Sequence, residues 1–441
     1  MADNQLREQE RREARRKRRI RNQILVYMTL IILILVAALG VVSGVKWLAG
    51  MQRDAKEEQE DSQAKIEEIF SDEPDIQIPE PTPTPVPELT PEERLDDIVN
   101  AGIEAMPLED KVAGLFLVTP ESITGVQTVV QAGEGTQNAL AQYPVGGLIY
   151  FQKNIQSEEQ IRQMLENTRM YAAPYPLFLA VDEEGGSVAR VASAGIGTPV
   201  DSASAIGATG DTGKAYEAGT TIGSTLSSLG FNLDLAPVAD LASVENSFMA
   251  QRVYGKDAAT AAPFVTAMIQ GLMEQNVTPC LKHFPGNGAT SQDVHTGQAV
   301  SDRTLEQFQA EEFSVFQAGI DAGAPMVMVS LMAAPALTGS NEPCALSSEV
   351  VTGLLRGQLG FNGVVITDAL NMSAVSEYYA ADEAAILALK AGCDMLLMPE
   401  DFEKAYNGVL QAVRDGVISE ERVNDSLRRI YRIKYADRIA E

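Results

Sequence analysis

Eight short apolar runs recur along this sequence, at 115–118, 147–151, 177–181, 232–235, 278–283, 326–330, 364–367 and 395–398. They are largely apolar on successive residues rather than on alternate ones, which is the signature of strands covered on both faces. Amphipathic stretches separate them. Ser157–Met170 opens with Ser157 and Gln160 at capping-box spacing. Thr304–Ala322 carries Leu305, Phe308, Phe313 and Phe316 at roughly helical spacing before Gly323 and reads as one helix. Eight strand–helix units in about 350 residues predict an α/β fold, a (β/α)8 TIM barrel forming a single catalytic domain. A doubly wound sheet is the competing arrangement, but no GxGxxG follows the first run.

A barrel places its chemistry at the C-terminal ends of its strands. The third run ends in Asp182-Glu183-Glu184-Gly185-Gly186, with Arg190 just beyond; the fifth ends in Lys282-His283, and the seventh in Thr367-Asp368. These clusters, far apart in sequence, all map to one rim. The only two histidines, His283 and His295, lie in the loop Lys282-His283-Phe284-Pro285-Gly286-Asn287-Gly288-Ala289-Thr290-Ser291-Gln292-Asp293-Val294-His295. Histidine is the side chain whose unperturbed pKa allows proton exchange near neutral pH. Residues at i and i+2 do not face each other on a helix, but in an extended or turning loop Asp293 and His295 can share a side. The carboxylate would then orient the ring and favour its protonated form. A surface ion pair is the plainer reading of the same two residues. Asp368 follows a buried strand, where an unpaired carboxylate is costly; capping the next helix is its plainer role. Gly286-x-Gly288 reads as a tight turn rather than a phosphate cradle.

A net charge of −27 argues against nucleic acid, whose binding requires Lys and Arg to neutralise phosphates. Cys280, Cys344 and Cys393 form no disulfide framework or zinc spacing and read as small buried hydrophobes. No metal and no cofactor are expected. The N-terminus is different in character: nine of the 34 Lys and Arg residues fall within 1–22, against four of the 61 Asp and Glu. Ile24–Val45 then runs 22 residues without charge, long enough to span a bilayer, with Trp47 as an interface anchor. The expected layout is a cytoplasmic basic tail (1–22), an uncleaved transmembrane helix (23–47), a charged and Pro-rich extracellular linker (48–92) and the barrel (93–441). Basic charge before the span places the N-terminus in the cytoplasm and the barrel outside, as a single-pass cell-membrane protein. The run PEPTPTPVPELTPEE favours an extended polyproline stalk.

With these residues in view, the chain resembles glycoside hydrolase family 3, in its β-N-acetylhexosaminidase (NagZ-type) branch. The resemblance covers roughly Leu95 to Ile439 and rests on VDEEGGSVAR (181–190), LDLAPVADL (233–241), QRVYG (251–255), KHFPGNGATSQDVH (282–295) and GVVITDALNM (363–372). It implies Asp368 as nucleophile and His295 with Asp293 as the acid/base dyad. Asp182, Arg190, Arg252, Lys282 and His283 match positions that hold the sugar hydroxyls and N-acetyl group. The implied activity is retaining hydrolysis of terminal GlcNAc from peptidoglycan fragments or related glycans, with no metal required. The chain departs from the family at Asn287 and near Leu331, where histidine is common, at Ser187, where arginine is, and at Val294, where Ser or Thr is usual. These departures are expected to touch substrate periphery and loop packing. A β-glucosidase of the family takes its acid/base residue from a second α/β domain, which a dyad on the barrel makes unnecessary. A phosphorylase with the same dyad, using phosphate in place of water, and an inactive carbohydrate-binding surface protein are the other readings.

Overall fold

The computed structural model describes residues 89–436. The proposed basic tail, membrane span and most of the linker lie outside these residues. Among the described residues no helix is long and apolar enough to cross a membrane.

All eight apolar runs form strands: β1 (Phe116–Val118), β2 (Gly147–Ile149), β3 (Phe178–Val181), β4 (Leu233–Asp234), β5 (Thr278–Phe284), β6 (Met326–Val329), β7 (Val364–Thr367) and β8 (Leu396–Leu397). Each pairs in parallel with the next, in registers such as Leu117 with Gly147, Ala180 with Leu233, Leu233 with Thr278 and Val327 with Val365. β8 returns to β1 through Phe116–Leu396 and Leu117–Leu397. The ring closes between β7 and β8 through one parallel bridge, Ile366–Met395. This is the (β/α)8 barrel the alternation predicts. The residues of β1, β3, β6 and β7 are buried without exception, because one face packs into the barrel and the other under the helices.

Asp394 strengthens the closing seam. It is fully buried just before β8, and its carboxylate accepts from Val365 N (2.9 Å) on β7, Arg356 Nη2 (2.6 Å), Ser426 Oγ (2.8 Å) and Arg429 Nη1 (3.1 Å). A buried carboxylate is tolerated only with such partners, and here they come from β7 and from two helical segments, Glu349–Gln358 and Glu420–Lys434.

The helices begin where the sequence supplies caps. Thr90 and Glu93 form a reciprocal capping box before Pro91–Glu104. Ser157 caps Glu158–Tyr171 with its hydroxyl, but the Gln160 carbonyl accepts from Gln156 N instead of Ser157 N, so the expected box is half made. The stretch read as one helix is two, Leu305–Ala310 and Glu312–Asp321. The break at Glu311 lets Glu312 turn fully inward, where it accepts from Ser243 Oγ (2.7 Å) and lies 3.0 Å from Arg303. All three cysteines are free and buried, as expected of small apolar residues.

Candidate active site

The fifth strand carries the centre of the site. Its register against β6 shifts between Leu281 and Phe284, and the Lys282–His283 peptide is cis. In a regular strand neighbouring side chains face opposite ways; here both Lys282 and His283 line the same cavity. Phe284 holds the strand end against helix Glu312–Asp321, stacked on Phe313 at 5.2 Å and edge-on to Phe316 at 5.2 Å. Such pairs contribute about 0.5–1.5 kcal/mol each beyond area burial.

That cavity has a volume of about 370 Å3 and opens at the C-terminal ends of the strands. It lies at the small end of the ligand-pocket range. Asp182, Arg190, Arg252, Lys282, His283, His295 and Asp368 all line it. Asp293 alone among the sequence-predicted residues stands back, behind the His295 ring.

Its floor is a chain of alternating charges. Lys282 Nζ lies 2.7 Å from Asp182 and 2.6 Å from Glu184. Arg252 grips Glu184 with two bonds, Nε to Oε2 at 2.8 Å and Nη2 to Oε1 at 2.6 Å. Burial pushes the Glu184 carboxyl up, but Lys282 and Arg252 outweigh it and bring it down to about 2. Burial likewise opposes charge on Lys282, and the Asp182 and Glu184 carboxylates outweigh it, raising the ammonium above the ordinary lysine value. Glu184 and Lys282 are therefore each held in the charged form by the partner charges around them. Arg190 differs: its guanidinium stands 5.7 Å from the Phe151 ring centre, and its Nε is buried with no hydrogen-bond partner.

His283 Nδ1 is 2.7 Å from Asp240 Oδ2, and the other Asp240 oxygen accepts from the backbone of His283 (3.2 Å) and Asn287 (2.6 Å). Asp240 thus fixes ring and loop together, leaving Nε2 free for a ligand. His295 Nδ1 lies 2.6 Å from Asp293 Oδ1, which also accepts the His295 amide at 3.0 Å. The two share one side of a turn, as their spacing allowed. Partial burial raises the Asp293 carboxyl, but the His295 amide and ring outweigh it and lower it below the ordinary value. This pair is the wet part of the site, with side chains 59% and 40% exposed. Asp368, by contrast, is 9% exposed, and its Oδ1 accepts from Ala369 N at 2.8 Å, which leaves Oδ2 free. It caps no helix: the next one starts at Ser373.

Glu184 and Asp240 were not singled out from sequence. Each stands just past a strand end, in the VDEEGG and LAPVADL segments, which was the available signal. Their partners lie 68 and 43 residues away, and spacing alone does not reveal such pairs. The departures sort by position: Asn287 lines the cavity and accepts from Ser330 Oγ, Val294 and Leu331 are buried, and Ser187 is exposed.

Residues 107–433 match the glycosyl hydrolase family 3 N terminal domain. The chain belongs to glycosyl hydrolase family 3. Among the relatives it is similar to, "Beta-hexosaminidase A" of Pseudoalteromonas piscicida is 31% identical over 324 residues, covering 67% of this chain and 54% of that protein. The chain thus spans about half the length of that relative. A "Beta-hexosaminidase" of Xanthomonas campestris is 34% identical over 258 residues, covering 58% of this chain and 77% of the other. The solved family 3 β-N-acetylglucosaminidase of a Paenibacillus strain superposes with a TM-score of 0.72 at 33% identity, covering 76% of this chain and 64% of that one.

In this family 3 barrel the dyad loop has no slack at Gly288. A Cβ there would stand 1.6 Å from Leu241 O and 2.7 Å from Leu241 C, both backbone atoms. Gly288→Ala is expected to cost at least about 1–3 kcal/mol of stability through overpacking and to slow turnover by displacing His295. Thermal unfolding and kcat, measured together, check this; wild-type values for both would show that the loop can yield.

Proposed function

We propose that the chain is a retaining β-N-acetylhexosaminidase that hydrolyses terminal GlcNAc from peptidoglycan fragments or related glycans. The observation that carries this reading is the meeting of Asp368 and the Asp293-held His295 around one small cavity. Asp368 Oδ2 attacks the anomeric carbon and forms a glycosyl-enzyme, while His295 Nε2 protonates the leaving oxygen. In the second half His295 takes a proton from water, which displaces Asp368. Asp293 stabilises the imidazolium at each crossing. The paired floor of Asp182, Lys282, Glu184 and Arg252 presents fixed donors and acceptors to sugar hydroxyls, and Arg190 keeps a free donor. The names of the relatives, β-hexosaminidases and a β-N-acetylglucosaminidase, support the N-acetylated sugar.

The same proposal places the protein in the cell membrane. The uncharged run 24–45 behind a basic tail supports a single-pass anchor with the barrel extracytoplasmic, within reach of wall fragments. Protease accessibility of the barrel on intact cells tests that orientation.

Three measurements test the chemistry. Aryl β-N-acetylglucosaminide is expected to be cleaved and aryl β-glucoside to be a poor substrate; the reverse preference would sink the hexosaminidase reading. Product analysis with and without phosphate separates hydrolysis from phosphorolysis. His295→Ala is expected to lower kcat/KM about 10²–10⁴-fold for substrates with poor leaving groups, and far less for activated aryl glycosides, which need no proton. Equal losses on both would remove His295 from the acid/base role.

A further inference from the structure

A second, larger cavity of about 1020 Å3 lies at the opposite mouth of the barrel. Phe178 and Thr278, which line it, are the first residues of their strands, and Pro325 and Gly363 immediately precede theirs. Every one of these positions is at an N-terminal strand end, so the cavity shares no wall with the site at the other rim. Its sides are mainly apolar, from Leu95, Val277, Pro279 and Ile433, with Asn232, Asn276 and Asn362 set among them. Among the described residues no carboxylate lines it, whereas Arg429, Arg432 and Lys434 do.

The two arginines are already occupied, Arg429 by Asp394 at 3.1 Å and Arg432 by Asp96. Lys434 is not. Its Nζ is buried and has no hydrogen-bond partner. It stands 4.9 Å from the ring centres of Phe178 and Tyr431. Aromatic faces attract a cation, but they offer no lone pair to any of its three N–H donors. Burial alone drops the amine to about 7. A single amine lacking an acceptor, at the edge of an apolar chamber of ligand size, complements one negative charge carried on an apolar body.

We propose that this cavity binds an amphiphilic monocarboxylate, Lys434 Nζ donating to the carboxylate and the chain lying against Leu95, Val277, Pro279 and Ile433. The test uses the full chain in nanodiscs, with empty nanodiscs as the blank, and [1-13C]octanoate as probe. One octanoate per chain is expected, with a displaced carboxyl resonance. Lys434→Met should weaken binding about tenfold or more, the scale of one charge-assisted hydrogen bond, while turnover of an aryl β-N-acetylglucosaminide stays at the parent value. Octan-1-ol should compete poorly. Undiminished octanoate binding by Lys434→Met, equal binding of octanol, or no saturable site would overturn the proposal. Should Lys434→Met fail to fold, Lys434→Gln keeps a polar side chain there and removes the cation. That variant must lose octanoate binding, and retained binding would equally overturn the assignment.

Discussion

Asp368→Asn is expected to abolish turnover of every glycoside, on the order of 10⁴-fold or more, the scale at which loss of a nucleophile is felt when binding and acid catalysis remain. The amide keeps the shape of the side chain and its bond from Ala369 N, so folding and ligand affinity should stay near wild type. It supplies no anionic oxygen to form the glycosyl-enzyme. This loss should be indifferent to the leaving group, unlike that of His295→Ala, because in the proposed mechanism both half-reactions pass through the same bond to Asp368. Intact-mass measurement during turnover of a slow substrate provides the direct check: the parent should gain one sugar and the variant none. A variant that still accumulated the adduct would move the nucleophile elsewhere.

Glu184→Gln is expected to cost about 3 kcal/mol of stability at neutral pH, the free energy equivalent of lowering a carboxyl from 4.5 to about 2. It falls within the range for removing one partner of a buried ion pair, because Lys282 and Arg252 would both lose an anion. The direction with pH follows from the sign of the shift. The folded value lies below the unfolded one, so the contribution is fully present above about 4.5 and is lost as pH falls towards 2. The difference in urea midpoint between parent and variant should therefore be wide at pH 7 and shrink below pH 4.5. A constant gap would mean that shape, and not charge, holds the floor together.

The strands and the rim could be read from the sequence because both are local. Eight apolar runs became eight strands, and strand-end position brought Asp182, Lys282, His283 and Asp368 to one cavity. What escaped is pairwise and long-range. Glu184 was visible only as one acid in a cluster, and its importance comes from Arg252, 68 residues away. Asp240, in the segment 233–241, has no role that its neighbours in sequence reveal; its role comes from His283, which the fold sets against it. The split of the helix at Glu311 has the same origin. Apolar spacing continues through it, but the demand of Ser243 and Arg303 for a buried acid overrides the local pattern.

The seam between β7 and β8 determines how this barrel would fail. A closed ring has no free strand edge, so its backbone donors and acceptors are all spoken for around the circle. The last pair has the shortest ladder of the ring, the Ile366–Met395 bridge with its backbone bonds from Thr367 N to Met395 O and from Met395 N to Val365 O, backed by the Asp394 clasp, and that is where an edge would first appear. The strand laid bare would be β7, four buried residues, Val364–Thr367, rich in β-branched side chains, directly ahead of Asp368. Damage to the clasp would thus be felt as self-association through an exposed template before it was felt as a slower reaction.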